Sequence, residues 1–248
     1  MFVFARTDVS CHFKNKPTMK YLVLLFIIFF YHSPSFGQEH KGYKEWLEEA
    51  KTDFRMIPMY GHQKKSEQHI KADEELIQSI LEQDKTAKAG SEHLIKVGFD
   101  YLYKRQLRTA MYRFNQAWLL DSTNANVFWG FGGVYFYLRA YDQALKMFHN
   151  GLQIDSLNTN LITDIGGTYL SMFDEDQSNK ENLSRAIFYL NKSYNLNPKY
   201  SSTVYKLIIC SLFSEDCEKA KRYFLECDNL KNNQITETFR AQVYAKCK

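Results

Sequence analysis

Histidines and acidic residues are the side chains that could hold a metal or move protons in this chain. Their spacing predicts neither a metal site nor an acid–base catalytic site. Five of the seven histidines follow Gly37: His40, His62, His69, His93 and His149. None of them lies at a metal-ligand spacing from carboxylates or thiols. The acidic run 174–176 faintly resembles the start of a calcium loop, but Asn179 and Arg185 stand where such a loop needs glycine and an acid. We therefore predict no catalytic residue, no metal and no cofactor.

The cysteines are the second group with chemical potential. Four of the five lie in the last 40 residues: Cys210, Cys217, Cys227 and Cys247. An even count in an exported chain is compatible with disulfides. The alternative is that all four are small buried hydrophobic side chains, since free cysteine packs as one.

The elements that position these residues follow a 34-residue pattern, which is written once over Ser91–Asn124 and again over Ala125–Asn158. Gly98, Tyr101, Ala110 and Phe114 recur as Gly132, Tyr135, Ala144 and Phe148. Within each copy the apolar and small residues recur at i, i+3, i+4 and i+7, which predicts two amphipathic helices, A and B. Repetition at a fixed period predicts a solenoid.

The pattern resembles the tetratricopeptide repeat, a 34-residue helix–turn–helix unit. A third copy is predicted over 159–200, with an eight-residue polar insertion around Asp174–Glu181 at the turn between its helices, and a degenerate fourth over 201–234. The resemblance implies an all-α tetratricopeptide-repeat solenoid, with an N-terminal helical extension over 38–90 and a C-terminal capping helix over 235–248. Gly98 and Gly132 are expected where helices A and B of one copy meet.

The extension at 38–90 lacks the repeat pattern. Apolar residues at helical spacing predict one helix from Tyr43, broken by Pro58 and Gly61, and a second that ends near Lys85; 87–90 is interpreted as a linker. These helices could cap the exposed face of the first repeat, which solenoids require. They could also pack loosely, wait for a partner, or fold back into the solenoid's groove.

The first 37 residues have the form of a secretory signal peptide. An apolar run, Tyr21–Tyr31, follows Lys20 and precedes Ser35-Phe36-Gly37, so we predict cleavage between Gly37 and Gln38. A buried core helix is the alternative. The run is shorter than the roughly 20 residues that span a bilayer, so no transmembrane span is expected in the mature chain. The prediction is an exported protein, periplasmic or secreted.

Two details of the leader bear on its origin. Met19 is a plausible true start, because residues 1–18 add a polar stretch with no role in a signal peptide. The Ser-Phe-Gly-Gln ending resembles signal peptides of Bacteroidetes-type bacteria.

Net charge argues against nucleic acid as a partner. The formal charge is +4, but residues 38–248 carry 28 basic and 27 acidic side chains. A nearly neutral body lacks the basic surface that binds a phosphate backbone.

The resemblance also implies a binding surface, because helix A of each tetratricopeptide repeat lines a concave groove. The candidate groove residues transferred from the family's positions 2, 5, 9, 12 and 13 are Glu92, Phe99, Tyr103, Asn126, Trp129, Phe136 and Tyr205. Exposed apolar patches mark interaction sites. We therefore predict a non-enzymatic scaffold that binds a protein or peptide there. The alternative is a structural subunit of a cell-envelope assembly that docks through its convex face or N-terminal helices.

The helix arrangement also predicts a disulfide. Helix B of the fourth copy begins near Cys217 and the last helix ends near Cys247. Antiparallel neighbours bring those two ends together, so the predicted pair is Cys217–Cys247.

Overall fold

The computed structural model describes residues 42–232 and 234–247, and every regular element in them is a helix. The predicted signal segment, 1–37, lies outside these residues. The α-helices are α1 (Tyr43–Ala50), α2 (Glu67–Asp84), α3 (Ala87–Tyr103), α4 (Leu107–Leu120), α5 (Ala125–Tyr137), α6 (Tyr141–Ile154), α7 (Thr159–Glu175), α8 (Lys180–Leu196), α9 (Ser201–Phe213), α10 (Cys217–Asn229) and α11 (Glu237–Lys246). Two 3₁₀ helices, Phe54–Met56 and Pro58–His62, connect α1 to α2.

Eight helices form four pairs that follow the four predicted copies. The pairs are α3–α4, α5–α6, α7–α8 and α9–α10, and the helices of each pair pack along each other. The second helix of each pair packs on the first helix of the next, and successive first helices also touch. The predicted fold class, an all-α tetratricopeptide-like solenoid, is confirmed. None of the described helices is long and apolar enough to cross a bilayer.

Glycines on the first helices let the partner aromatic ring lie against the backbone. A Cβ added to Gly98 would lie 2.4 Å from the Phe114 ring, and one added to Gly132 would lie 2.2 Å from the Phe148 ring. Both contacts join helices A and B of one copy, as predicted. Gly130 adds a contact that the pattern did not predict, because its Cβ would lie 2.3 Å from Phe114. The Phe114 ring is therefore held between two copies and is fully buried.

The first three copies end in the same side-chain turn. The Oδ1 atoms of Asp121, Asp155 and Asn197 accept hydrogen bonds from the backbone N–H two residues later, at 3.0, 3.2 and 3.2 Å. Aspartate and asparagine favour such turns because their short side chains reach their own backbone. These turns therefore stabilise the bends at which one copy leads into the next.

One boundary differs from the prediction. The segment 87–90, interpreted as a linker, is the first turn of α3. Thr86 caps that turn by accepting a hydrogen bond from the backbone N–H of Ala89 at 3.1 Å. Gly90 lets α3 approach α2, since an added Cβ would lie 2.3 Å from Ile80. The cap and the packing extend the helix through a stretch whose composition indicates a linker.

The insertion in the third copy also differs in form. It lengthens both helices instead of forming a loop: α7 and α8 have 17 residues each, whereas α5 and α6 have 13 and 14. Phe173, on the added turn of α7, is buried and packs edge-to-face on Phe213 at 5.1 Å. Leu183 is buried on the first turn of α8. Apolar burial at the helix ends therefore favours helix over loop.

Residues 53–62, here called the N-terminal segment, pack on α4 and not in the groove. The side-chain amide of Asn115 donates to the carbonyls of Arg55 and Ile57 at 2.8 and 2.9 Å and accepts from the N–H of Tyr60 at 3.2 Å. Helix α2 packs on α3. Of the alternatives for the extension, the described residues take the one in which it covers the first copy.

The C-terminal helix is fastened covalently. Cys217 and Cys247, the predicted pair, form a disulfide with their Cα atoms 5.3 Å apart. Cys210 and Cys227 are free and buried. Burial raises the pKa of the Cys210 thiol to about 12 and that of Cys227 to about 11. Both thiols are therefore poor nucleophiles at neutral pH.

Candidate functional site

The first helices of the four pairs enclose a groove cavity of about 490 Å³. Its lining is Phe99, Leu102, Tyr103, Trp129, Gly133, Phe136, Tyr137, Phe148, Asp164, Gly167, Leu170, Ser171, Tyr200, Ser202, Tyr205, Lys206, Ile209 and Gln234. No residue of the N-terminal segment is part of this lining. A pocket of this size with mostly apolar walls and few polar groups is the usual form of a ligand site.

One wall of the cavity is aromatic. The ring centroids of Phe99 and Trp129 lie 4.1 Å apart, and those of Phe99 and Tyr103 lie 6.0 Å apart. Phe99 is 9% exposed, whereas Tyr103 is 65% exposed. Phe99 thus supports the wall from behind, and Tyr103, Trp129 and Phe136 present their rings to the cavity.

A polar cluster forms part of the cavity lining. The indole Nε1–H of Trp129 donates to Oδ2 of Asp164 at 2.7 Å. The ammonium of Lys206 lies 3.6 Å from Oδ1 of the same carboxylate and donates to Oγ of Ser202 at 2.8 Å. These contacts join copies two, three and four. They place one negative and one positive charge side by side, so the cavity is electrically neutral yet offers both an acceptor and a donor.

Three tyrosines, Tyr103, Tyr200 and Tyr205, also line the cavity. Burial, followed by the charge of Asp164, raises the pKa values of Tyr103 and Tyr200 above their ordinary value. Burial also raises the pKa of Tyr205. The three phenols therefore stay protonated at neutral pH and remain able to donate hydrogen bonds to a ligand.

Comparisons with known proteins show likeness of fold alone. The sequence matches no family model and no curated protein. Two structures of MamA resemble it: one at 17% identity and a TM-score of 0.45, covering 64% of this chain and 86% of that one, and one at 15% and 0.44, covering 75% and 94%. YrrB, described as a TPR protein with an unusual peptide-binding site, is 19% identical with a TM-score of 0.47, covering 69% and 79%. The function must therefore be argued from the groove.

The structure brings five of the seven predicted groove residues together. Phe99, Tyr103, Trp129, Phe136 and Tyr205 all line the cavity. Glu92 and Asn126 lie outside it. Glu92 is exposed on α3, and Asn126 accepts a hydrogen bond from the Asn158 side chain at 3.1 Å. These two residues therefore do not supply the polar groups of the cavity.

Asp164 and Lys206 do supply them, and neither was among the predicted groove residues. Both occupy position 6 of their copies, counted from Thr159 and Ser201. Position 6 lies four residues after position 2 and three before position 9, so it shares their helix face. That spacing, together with opposite charges at one repeat position, is the signal that could have identified the pair.

The other candidate groups are engaged in packing. His62 packs edge-to-face on Trp118, and His69 on Phe54. Glu175, from the faintly calcium-like run, accepts a hydrogen bond from the Tyr141 hydroxyl at 2.5 Å and pairs with Arg139 at 2.6 Å. Within 42–232 and 234–247, no group of three or more histidine, cysteine or acidic residues is placed to hold a metal ion.

Proposed function

We propose that this chain is an exported scaffold that binds a peptide or protein segment in the groove cavity. The observation that carries the proposal is the aromatic wall, in which Tyr103 is 65% exposed beside Trp129 and Phe136. Tyrosine and tryptophan are enriched in the anchor sites of protein interfaces, because each combines a large apolar area with a polar end. A segment in the groove would cover these rings.

The neutral polar cluster favours a particular occupant. Asp164 and Lys206 largely balance each other's charge, so neither gives the cavity a strong preference for a charged ligand. A peptide backbone or a primary amide presents both a donor and an acceptor, and it could bind between the two side chains. The predicted occupant is therefore an extended segment that inserts an apolar or aromatic side chain beside Trp129.

The disulfide supports the cellular setting. Disulfides persist in oxidising compartments and are rare in reducing ones. The Cys217–Cys247 bond thus agrees with export after cleavage at Gly37.

The experiment is a selection of displayed random peptides on the disulfide-bonded chain, with counter-selection on Trp129→Ala. We expect selected peptides to bind the wild type and to lose at least about tenfold in affinity on Trp129→Ala, as measured by calorimetry. Tyr244→Ala is the matched control, because Tyr244 is 51% exposed and lies outside the cavity.

Peptides that bind Trp129→Ala as tightly as the wild type would contradict the proposal. Docking through the convex face, as in a subunit of an envelope assembly, would then be the better explanation. Photo-crosslinkers placed at Tyr103 and at Leu225, an exposed residue of α10, would distinguish the two surfaces in the source organism.

A further inference from the structure

The outer face of α4 shows how this fold holds an irregular segment. Tyr112, Asn115 and Trp118 lie two, five and eight residues after Ala110. The Asn115 amide binds two carbonyls and one N–H of the N-terminal segment. The guanidinium of Arg55 lies 4.6 Å from the centre of the Tyr112 ring, and His62 packs on Trp118. In this aromatic–Asn–aromatic row the asparagine thus binds the backbone of the segment, and the two rings contact its side chains, Tyr112 also donating to the Asp53 carboxylate.

Helix α8 carries the same row at the same repeat positions. Phe188, Asn191 and Tyr194 lie two, five and eight residues after Ala186, the counterpart of Ala110. The second helices of the other two copies differ, with Lys146 and His149 on α6 and Arg222 and Leu225 on α10 at the first two positions. The row is therefore not required by the repeat itself.

On α8 the described part of the chain leaves the first two residues of this row, Phe188 and Asn191, uncovered. Phe188 is 63% exposed, and it borders a shallow depression with Asn191, Lys192, Asn195 and Leu196. Among the described residues the Asn191 side chain has no hydrogen-bond partner. Tyr194 is held at the edge, where its hydroxyl donates to Glu226 at 2.8 Å. A ring and a free amide thus lie where α4 binds its segment.

We propose that the outer face of α8 binds an irregular, acidic segment of a partner protein in the way that α4 binds the N-terminal segment. Asn191 would donate to two backbone carbonyls and accept from one N–H, and an apolar or basic side chain would cover Phe188. The partner segment is inferred to be acidic because of Lys192. This lysine lies beside Asn191 on α8, where α4 has the neutral Gln116 beside Asn115, and its positive charge would attract acidic side chains. The N-terminal segment of a second copy is disfavoured, since its own Asn115 already binds it.

The test uses a peptide of this chain's own sequence, Asp53–His62 with blocked termini, as a probe of the required backbone geometry. It is titrated into the isotope-labelled, disulfide-bonded chain and followed by backbone amide NMR. We expect shifts on α8 around Phe188–Tyr194 with a dissociation constant of about 1 mM, because a short flexible peptide loses much entropy on binding. Asn191→Ala should weaken binding about tenfold or more.

Asn229→Ala is the control, because this exposed residue ends the neighbouring helix α10; it should leave the affinity unchanged. Lys192→Glu should weaken binding of an acidic variant of the peptide, His62→Glu, more than binding of the peptide itself, and the difference should grow as salt is lowered. The inference is overturned by an absence of shifts on α8 at about 5 mM peptide, by unchanged shifts in Asn191→Ala, or by shifts confined to α4. Peptide-independent shifts that grow with protein concentration would assign the face to self-association instead, and would also overturn it.

Discussion

The indole of Trp129 donates its hydrogen bond to Asp164 across the boundary between the second and third copies, at 2.7 Å. The same bond fixes the ring that lies tilted against Phe99, with the ring centroids 4.1 Å apart. An aromatic anchor whose orientation is set before binding loses little freedom when a ligand arrives, which favours affinity. Trp129 is therefore the residue on which binding in the groove should depend most.

Trp129→Ala should weaken binding of a selected peptide by more than about tenfold, because aromatic anchors often contribute about 2 kcal/mol or more. Trp129→Phe keeps most of the ring and loses the bond to Asp164, so its affinity should fall between those of the wild type and Trp129→Ala. Calorimetric titration measures both effects, and circular dichroism checks that helix content is unchanged.

Arg185→Ala is the control for this series. Arg185 pairs with Glu181 and donates to the Tyr169 hydroxyl, and none of the three lines the cavity. Its replacement should leave peptide affinity unchanged. An equal loss in Arg185→Ala and Trp129→Ala would show that both variants act through general destabilisation.

Gly132→Leu should lower the melting temperature. The new Cβ would lie 2.2 Å from the Phe148 ring, which is buried and cannot move freely. Overpacking of this kind costs about 1–3 kcal/mol, or about 2–4 °C per kcal/mol for a chain of this size. The gain in helix propensity, about 1 kcal/mol, does not offset it. Gly42→Ala is the control for calorimetry, since its Cβ would meet nothing within 4 Å.

The repeat pattern predicted the stack because its steric cause is local. Only a small residue fits where Gly98 meets Phe114, so the spacing of small and aromatic residues indicates the pairing. The form of the third copy could not be predicted in this way. Its added residues are polar in composition, and the burial of Phe173 against Phe213 and of Leu183 favours helix there.

The site was predicted in its apolar part and missed in its polar part. The groove positions transferred from the family identified Trp129 and Phe136. Asp164 and Lys206 belong to different copies, and their pairing depends on how the third and fourth copies pack together, which the pattern within one copy does not specify. The backbone conformation of the N-terminal segment could not be predicted from the sequence pattern either. Tyr60 has a φ of 54° there, a left-handed value that non-glycine residues seldom adopt and that the bond to Asn115 helps to hold.

Alkaline pH should destabilise the fold partly through Tyr141. Burial, and then its hydrogen bond to Glu175, raise the pKa of Tyr141 to about 12 from an ordinary value of 10.0. A folded pKa above the unfolded one means that this stabilisation is complete below about pH 10 and is lost as pH rises towards about 12. The variant Tyr141→Phe lacks the hydroxyl and therefore lacks this stabilisation at every pH. The gap in melting temperature between the two proteins should therefore narrow above about pH 10, and a constant gap would contradict the assignment.

The predicted export rests on residues 1–37, which lie outside the described part of the chain. We expect protein recovered from the periplasm or medium of the source organism to begin at Gln38, because small residues precede that bond. Intact-mass measurement decides this directly. A mature chain that still carries residues 21–30 would contradict the prediction.

Loss of the disulfide should loosen the C-terminal helix before the rest of the solenoid. The bond joins residues separated by 30 positions. In the chain-entropy model, opening a loop of this length removes about 3.6 kcal/mol of stability. The contacts of α11 with the rest of the fold, such as Phe239 on Tyr205 at 4.9 Å, are few enough that local release should precede unfolding. Replacing both Cys217 and Cys247 with serine should therefore lower the melting temperature and speed proteolysis after Lys231.

Cys227→Ala is the control for the loss of a cysteine as such, because it alters a buried free thiol without opening a loop. Non-reducing peptide mapping that finds free thiols at both positions in the exported protein would contradict the bond itself. Equal proteolysis of the double serine variant and the wild type would contradict its role in holding α11.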